Sequence, residues 1–142
     1  MATIKKSIQI NAPVEKVFEY FTPEILPEVW PSLVEVNNIQ ELPNGGYSWD
    51  WVYKMAGMRF TGSSEHTEVV PNERTVTLST GGIDSTITWE YQPVDDGTKL
   101  TTTVEYNVPI PLLGKLAESI IVKMNENESN VLLANVKAMM EA

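Results

Sequence analysis

His66 is the single histidine of the 142-residue chain and a side chain that could move a proton near neutral pH. It lies in the segment SSEHTE, where a strand would place Ser64, His66 and Glu68 on one face. Residues two apart on a strand are separated by roughly 6.5 to 7 Å, so this spacing does not assure the direct hydrogen bonds of a nucleophilic triad. His66 is therefore either a cavity-facing residue that orients a ligand or moves a proton, or a surface histidine near a strand end.

Large aromatic side chains alternate along residues 46–57, GYSWDWVYKMAG. This alternation predicts a strand that turns Tyr47, Trp49, Trp51 and Tyr53 to one face. The same pattern selects inward residues on two later strands: Ile83, Ser85, Ile87, Trp89 and Tyr91, then Leu100, Thr102, Val104 and Tyr106. Simple core packing could explain any one ring, but three inward tryptophans need partners for their N–H groups, which indicates room for a ligand.

We therefore expect a cavity in which aromatic rings supply apolar contact and a few polar side chains orient the ligand. The expected lining residues are Trp30, Trp49, Trp51, Tyr53, Phe60, Ser64, His66, Ser85, Trp89, Thr102, Tyr106, Ile120, Met124 and Asn127. The candidate acids or bases are His66, Tyr53 and Tyr106, and Glu128 is a further candidate. No spacing among these residues identifies a catalytic site. The loops near Trp30 and near residues 55–57 are the expected gate.

Composition excludes several function classes. The absence of cysteine removes disulfides, thiolate metal sites and a cysteine nucleophile. One histidine and scattered carboxylates do not predict a metal site, and no motif predicts a cofactor. A net charge of −9 without a basic cluster disfavours nucleic acid as a partner. With no signal-like or membrane-spanning segment in the sequence, we expect one cytoplasmic domain over residues 1–142, as a monomer or weak homodimer without stable membrane insertion.

The order of elements follows from the changes in periodicity. Residues 3–10 alternate as a strand, and two short helices follow, broken by Pro23, Pro27 and Pro31. From Leu33 to about Val108 the period is two, with turn signals at 43–46, 55–58, 71–73, 80–82 and 95–97, which predicts six antiparallel strands. This order predicts an α+β domain.

A long helix follows the last strand. On a helical wheel one apolar stripe collects Leu113, Leu116, Ala117, Ile120, Met124, Val131, Ala134 and Ala138. We expect this stripe to face the sheet. Asn127 interrupts it and Glu128 borders it, so these two side chains either contact a ligand or reach solvent where the helix passes the sheet edge.

The two ends of the chain carry the most specific pattern: IQINAPVEKVFEYFTPE at the front, and ESNVLLANVKAMMEA with its Leu133-x-Asn135-x-Lys137 segment at the back. Over essentially the whole chain this pattern resembles the START-like or SRPBCC superfamily, in particular its polyketide cyclase/dehydrase-like branch. The resemblance implies a helix-grip fold, in which a seven-stranded antiparallel sheet wraps around the C-terminal helix and two short helices follow the first strand. It also implies a deep cavity for a lipid, sterol, hormone or polyketide.

Such a fold leaves the activity open. The first hypothesis is binding of a small hydrophobic molecule, lipid-like or aromatic and polyketide-like. The second is an enzyme of the polyketide cyclase or aromatase type that uses the same cavity. The third is a protein-interaction module similar to the Hsp90-activator branch.

Overall fold

The computed structural model describes residues 2–108 and 115–142 of the chain. Seven strands form one antiparallel sheet in the order β1-β7-β6-β5-β4-β3-β2. Their bounds are β1 Ala2–Ile10, β2 Leu33–Glu41, β3 Tyr47–Met55, β4 Met58–Val70, β5 Arg74–Gly81, β6 Ser85–Val94 and β7 Gly97–Tyr106. The six consecutive strands after Leu33 and the α+β class are thereby confirmed.

Three helices complete the described part of the fold. Helix α1 covers Val14–Tyr20, and a 3₁₀ turn at Pro23–Ile25 leads into α2, Leu26–Val29. Pro23 is the first residue of the turn and Pro27 the second of α2, positions at which a backbone N–H would have no helical partner. The long helix α3 covers Lys115–Glu141, and no helix in the described part of the chain is both long and apolar enough to cross a membrane.

The inner face of the sheet carries the predicted aromatic row. Trp49, Trp51 and Tyr53 are buried, as are Trp89 and Tyr106. The inward orientation of these side chains, predicted from the alternation, is therefore confirmed.

Helix α3 faces the sheet with a different side from the one its apolar stripe predicts. Ile120, Met124 and Val131 are 56%, 51% and 43% exposed, and Ala134, Ala138 and Asn127 are not buried either. The inner side instead carries Leu132, Leu133 and Val136, which join the core around Ile10, Trp89 and Leu100. At 100° per residue the true inner face lies about 150° from the predicted one. Leu113 and the side chains of Leu116 and Ala117 lie outside the described residues.

Side chains of α3 fasten it to the rest of the molecule. Leu133 is 2% exposed in the core. The Asn135 Nδ2 donates a hydrogen bond of 2.9 Å to the carbonyl oxygen of Val29 at the end of α2, and the Lys137 ammonium donates one of 2.9 Å to the carbonyl oxygen of Gln9 in β1. The Leu-x-Asn-x-Lys segment therefore connects the helix to the core, to α2 and to the first strand.

Candidate functional site

A cavity of about 120 Å³ lies between the inner face of the sheet and α3. Most of the strands contribute to its lining, together with the segment from the end of α1 to Trp30 and the middle of α3. An apolar cavity of about 150 Å³ accepts a molecule the size of benzene. This space is therefore of the order needed for a small ring compound.

Tryptophan rings form much of the apolar wall. Trp49, Trp51 and Trp89 come from the inner face of the sheet, and Trp30 comes from the end of α2. Trp51 is paired across the sheet with Gly62, and a Cβ at position 62 would stand 2.4 Å from Cζ2 of Trp51. The glycine therefore leaves the space in which the Trp51 ring lies over β4.

Two of these rings have unused hydrogen-bond donors. The indole N–H groups of Trp30 and Trp51 are buried and have no acceptor of good geometry within the described residues. The Trp30 N–H points towards the Tyr53 hydroxyl closely enough to act on the pKa of that phenol, but it does not complete a hydrogen bond to it. A buried donor left without a partner costs about 1 to 3 kcal/mol, so such groups are normally satisfied. A ligand or water with an acceptor atom in the cavity would satisfy these two.

The floor of the cavity is polar, in contrast to its tryptophan wall. Ser64 of β4 and Ser79 of β5 bring their buried hydroxyl oxygens to 2.5 Å in a hydrogen bond. Thr75 and Thr77 of β5 also line the floor, so this strand turns hydroxyl groups inward while its outer face exposes Leu78, which is 40% accessible. The cavity thus offers hydroxyl groups to a ligand at its floor.

His66 lines the cavity from β4. Its ring makes edge contacts with Tyr47 and Trp49, with ring centroids 6.1 and 5.1 Å apart. Its Nδ1 accepts a 2.9 Å hydrogen bond from the backbone N–H of Tyr47. Of the two alternatives for His66, the structure supports the cavity-facing one.

The hydrogen bonds that a nucleophilic triad of Ser64, His66 and Glu68 would need do not form, as their spacing in the sequence led us to expect. Ser64 pairs with Ser79, and Glu68 pairs with Arg74 on the outside. A break in the strand register lies between His66 and Glu68.

Burial lowers the pKa of His66 from its ordinary value of 6.5 to about 4. In the pH range between these values the unfolded chain binds more protons than the folded one, so the free energy of unfolding falls as the pH is lowered through that range. We expect this residue to contribute about 2 kcal/mol to that loss, allowing for the partial exposure of the ring. Urea unfolding of the wild type and of His66→Gln at pH 7 and pH 4.5 measures it. Equal pH dependence in both proteins would contradict the assignment.

The side of the cavity formed by α3 is polar too. Asn125 Nδ2 donates a 2.6 Å hydrogen bond to the hydroxyl oxygen of Tyr106, which leaves the tyrosine O–H free to donate. Burial raises the pKa of Tyr106, and burial followed by the negative charge of Glu128 raises the pKa of Tyr53. Both phenols therefore stay protonated at neutral pH and act as hydrogen-bond donors.

Glu128 also holds the segment that covers the cavity. Its Oε1 accepts a 2.7 Å hydrogen bond from the backbone N–H of Ser32, between α2 and β2. The neighbouring Trp30 ring packs edge-on against Tyr53, with centroids 5.5 Å apart. With the bond from Asn135 to Val29, two side chains of α3 thus fix the position of the α2 segment over the cavity.

Most of the residues selected from the sequence line this cavity. They are Trp30, Trp49, Trp51, Tyr53, Ser64, His66, Ser85, Trp89 and Tyr106. Phe60, which is half-buried against the core, and Thr102, which is buried, do not line it. Placing Ile120, Met124 and Asn127 inside was wrong: none of the three is buried or lines the cavity, because the helix turns its other side inward.

Sequence reasoning missed the polar residues that face the cavity from α3 and β5: Asn125, Ser129, Thr75, Thr77 and Ser79. The signal available for β5 was its alternation of hydroxyl side chains with Val76 and Leu78. This alternation is typical of a strand that buries its apolar side, whereas β5 turns its hydroxyl side inward. For α3 the available signal was the apolar set Leu132, Leu133 and Val136 on the second side of the wheel.

Comparisons with known proteins agree with this architecture. The aromatase/cyclase Zhui from Streptomyces sp. R1128 superposes with a TM-score of 0.82 at 17% identity, over 99% of this chain and 93% of that one. A START superfamily protein from Mycobacterium smegmatis gives 0.76 at 14%, over 96% and 98%, and a protein from Thermus thermophilus gives 0.75 at 23%, over 96% and 95%. At these identities the likeness shows the fold, which is START-like.

A comparison by sequence gives the family. No curated protein matches the chain significantly. A family model described as polyketide cyclase/dehydrase and lipid transport matches residues 1–141, which is nearly the whole sequence. The chain therefore belongs to the polyketide cyclase/dehydrase and lipid transport family.

Proposed function

We propose that the protein binds a small, largely apolar molecule, aromatic or lipid-like, in the cavity between the sheet and α3. The observation that carries the proposal is the pair of buried indole N–H groups, on Trp30 and Trp51, that have no acceptor among the described residues and lie beside a cavity of about 120 Å³. Burial of apolar surface would supply the affinity, at roughly 25 cal/mol per Å². Hydrogen bonds to the unused donors would set the orientation.

The size and polarity of the cavity limit the kinds of ligand that it can hold. A single ring is of the order of the present volume, and fused rings or a longer chain require the α2 segment near Trp30 to move. Membership of the family and the fold of the aromatase/cyclase neighbour are consistent with a compound of this kind.

Native mass spectrometry of the freshly purified protein, beside its denatured spectrum, tests the proposal. We expect an additional small mass that is lost on denaturation. Titration of tryptophan fluorescence with aromatic ketones and phenols then gives the affinity, with the Trp49→Ala/Trp51→Ala variant as the control that should not respond. A bare native mass together with no fluorescence response would contradict the proposal.

A second candidate function, catalysis by proton transfer, is favoured by the grouping of Glu128, Tyr53 and Tyr106 on one side of the cavity. In such a reaction the Glu128 carboxylate would take a proton from the carbon next to a ligand carbonyl. The C–H electron pair would form the enolate, and a tyrosine O–H would donate a hydrogen bond to its oxygen. In a cyclisation the enolate carbon would then attack a second carbonyl carbon of the ligand, and the proton held by Glu128 would go to the alkoxide oxygen formed there.

Exchange of the methyl hydrogens of acetophenone in deuterated water measures the first half of this reaction. The Glu128→Gln variant is the matched control, because the amide oxygen can still accept the hydrogen bond from Ser32. We expect the variant to lose at least about 100-fold of the catalysed exchange. A wild-type rate no faster than that of buffer would remove this candidate.

A further inference from the structure

The ring of His66 is held from outside the cavity by the turn that joins β2 to β3. Asn44 Nδ2 donates a 2.9 Å hydrogen bond to the backbone oxygen of His66, while the Asn44 Oδ1 accepts a 2.8 Å bond from the N–H of Gly46. The next residue, Tyr47, donates its N–H to Nδ1 of His66 at 2.9 Å. The bonds from Asn44 and Tyr47 thus fix the backbone and the ring of the histidine, and the bond from Gly46 fixes the Asn44 side chain.

Gly46 makes this close approach sterically feasible. A Cβ at position 46 would stand 2.5 Å from Cβ and 2.8 Å from Nδ1 of His66. Contacts that short do not occur between real atoms, so any larger residue would push the histidine ring away from its place. By contrast, Pro43 of the same turn is exposed.

The hydrogen bond from Tyr47 determines where the imidazole carries its proton. Because an N–H donates to Nδ1, that nitrogen keeps its lone pair and the neutral ring is protonated at Nε2. No described residue accepts a hydrogen bond from Nε2. The ring lines the cavity with Nδ1 occupied, so Nε2–H is the polar group that remains for a ligand.

We propose that His66 is a fixed hydrogen-bond donor of the cavity, positioned by Asn44 and Gly46, and that it selects ligands carrying an oxygen acceptor. This inference rests on the proposed function and adds the chemical class of ligand. With the indole N–H groups of Trp30 and Trp51, the cavity offers three N–H donors, which suit an oxygen acceptor. The net charge of −9 disfavours an anion, so a neutral carbonyl compound fits best.

The first test is the tautomer of the ring. Since His66 is the single histidine, a two-bond ¹H–¹⁵N spectrum of the labelled protein at pH 7 shows one imidazole. We expect the Nε2–H tautomer, and the Gly46→Ala variant should lose the unique pattern. A ring protonated at Nδ1, or a charged ring, would overturn the assignment whatever the ligand is.

The second test compares two probes of nearly equal shape, acetophenone and α-methylstyrene, which has a CH₂ in place of the carbonyl oxygen. The measured quantity is the ratio of their dissociation constants in each variant. The two probes differ in hydration, but this difference is the same for every variant and cancels when the ratios are compared. We expect His66→Phe to shift this ratio against acetophenone by about threefold to tenfold. His66→Gln should retain the wild-type ratio, since its amide nitrogen lies as many bonds from Cα as Nε2 does.

Two turn variants test the positioning role. Gly46→Ala should shift the ratio as His66→Phe does, and Pro43→Ala, at an exposed position of the same turn, should leave it unchanged. An unchanged ratio in His66→Phe would overturn the inference and leave the proposed function standing. If neither probe binds the wild type, the proposed function for ligands of this size fails, and the role of His66 fails with it.

Discussion

The Thr77→Phe variant will lose ligand binding while it remains folded. Thr77 is 4% exposed and lies on the cavity floor, so a phenyl ring at this position occupies the space proposed for the ligand. Adding volume to a filled core costs about 1 to 3 kcal/mol, but here the ring enters an existing cavity and the expected loss in unfolding free energy is below about 1 kcal/mol. Fluorescence titration with acetophenone and urea unfolding measure the two effects.

Thr80→Phe is the matched control for this prediction. Thr80 belongs to the same strand, but it is exposed on the opposite face of the sheet. It should therefore bind acetophenone as the wild type does. A Thr77→Phe protein that is folded and binds with unchanged affinity would mean that the ligand site lies elsewhere.

The orientation of α3 determines which of its valines stabilises the fold. Val136 is fully buried in the core, whereas Val131 on the same helix is 43% exposed. We expect Val136→Ala to lower the free energy of unfolding by about 2 to 3 kcal/mol, from lost burial and the space left behind. Val131→Ala should change it by no more than about 0.5 kcal/mol.

Equilibrium unfolding in urea compares the two variants, which remove the same atoms from the same residue type. A larger effect for Val131→Ala than for Val136→Ala would mean that the helix faces the sheet with the side its apolar stripe predicts, and that the cavity lining given for α3 is wrong.

The sheet could be predicted from the sequence because its signals are local. The aromatic alternation from Tyr47 to Tyr53 fixes one strand face, and the short turns between the strands fix the antiparallel pairing of neighbours. The front and back patterns of the chain then indicated the START-like family, which supplied the arrangement of sheet and helix.

The lining from α3 and β5 could not be predicted from the hydrophobic pattern, because in both elements the cavity side is the polar one. Asn125, Glu128 and Ser129 interrupt the inner face of the helix, so the apolar stripe through Met124 and Val131 looked like the buried side. A site that needs polar groups breaks the pattern on which the prediction depends. The same applies to the hydroxyl groups of β5.

The contacts of the turn at residues 43–46 could not be predicted from the sequence either. Its sequence, PNGG, predicts a tight turn correctly, but the hydrogen bonds from this turn to His66 join residues about twenty positions apart. Only the paired strands bring Asn44 and Tyr47 beside the histidine. A residue that positions a side chain across a sheet leaves no periodic signal in the sequence.

An ¹H–¹⁵N spectrum of the indole N–H groups during a titration with acetophenone tests directly whether a carbonyl compound binds beside Trp30 and Trp51. The four tryptophans give four resolvable signals, which single Trp→Phe variants assign. We expect the signals of Trp30 and Trp51, whose N–H groups have no acceptor in the described part of the chain, to move most as the carbonyl oxygen enters the cavity. Signals that stay in place up to saturating ligand, in a protein that remains folded, would contradict this expectation.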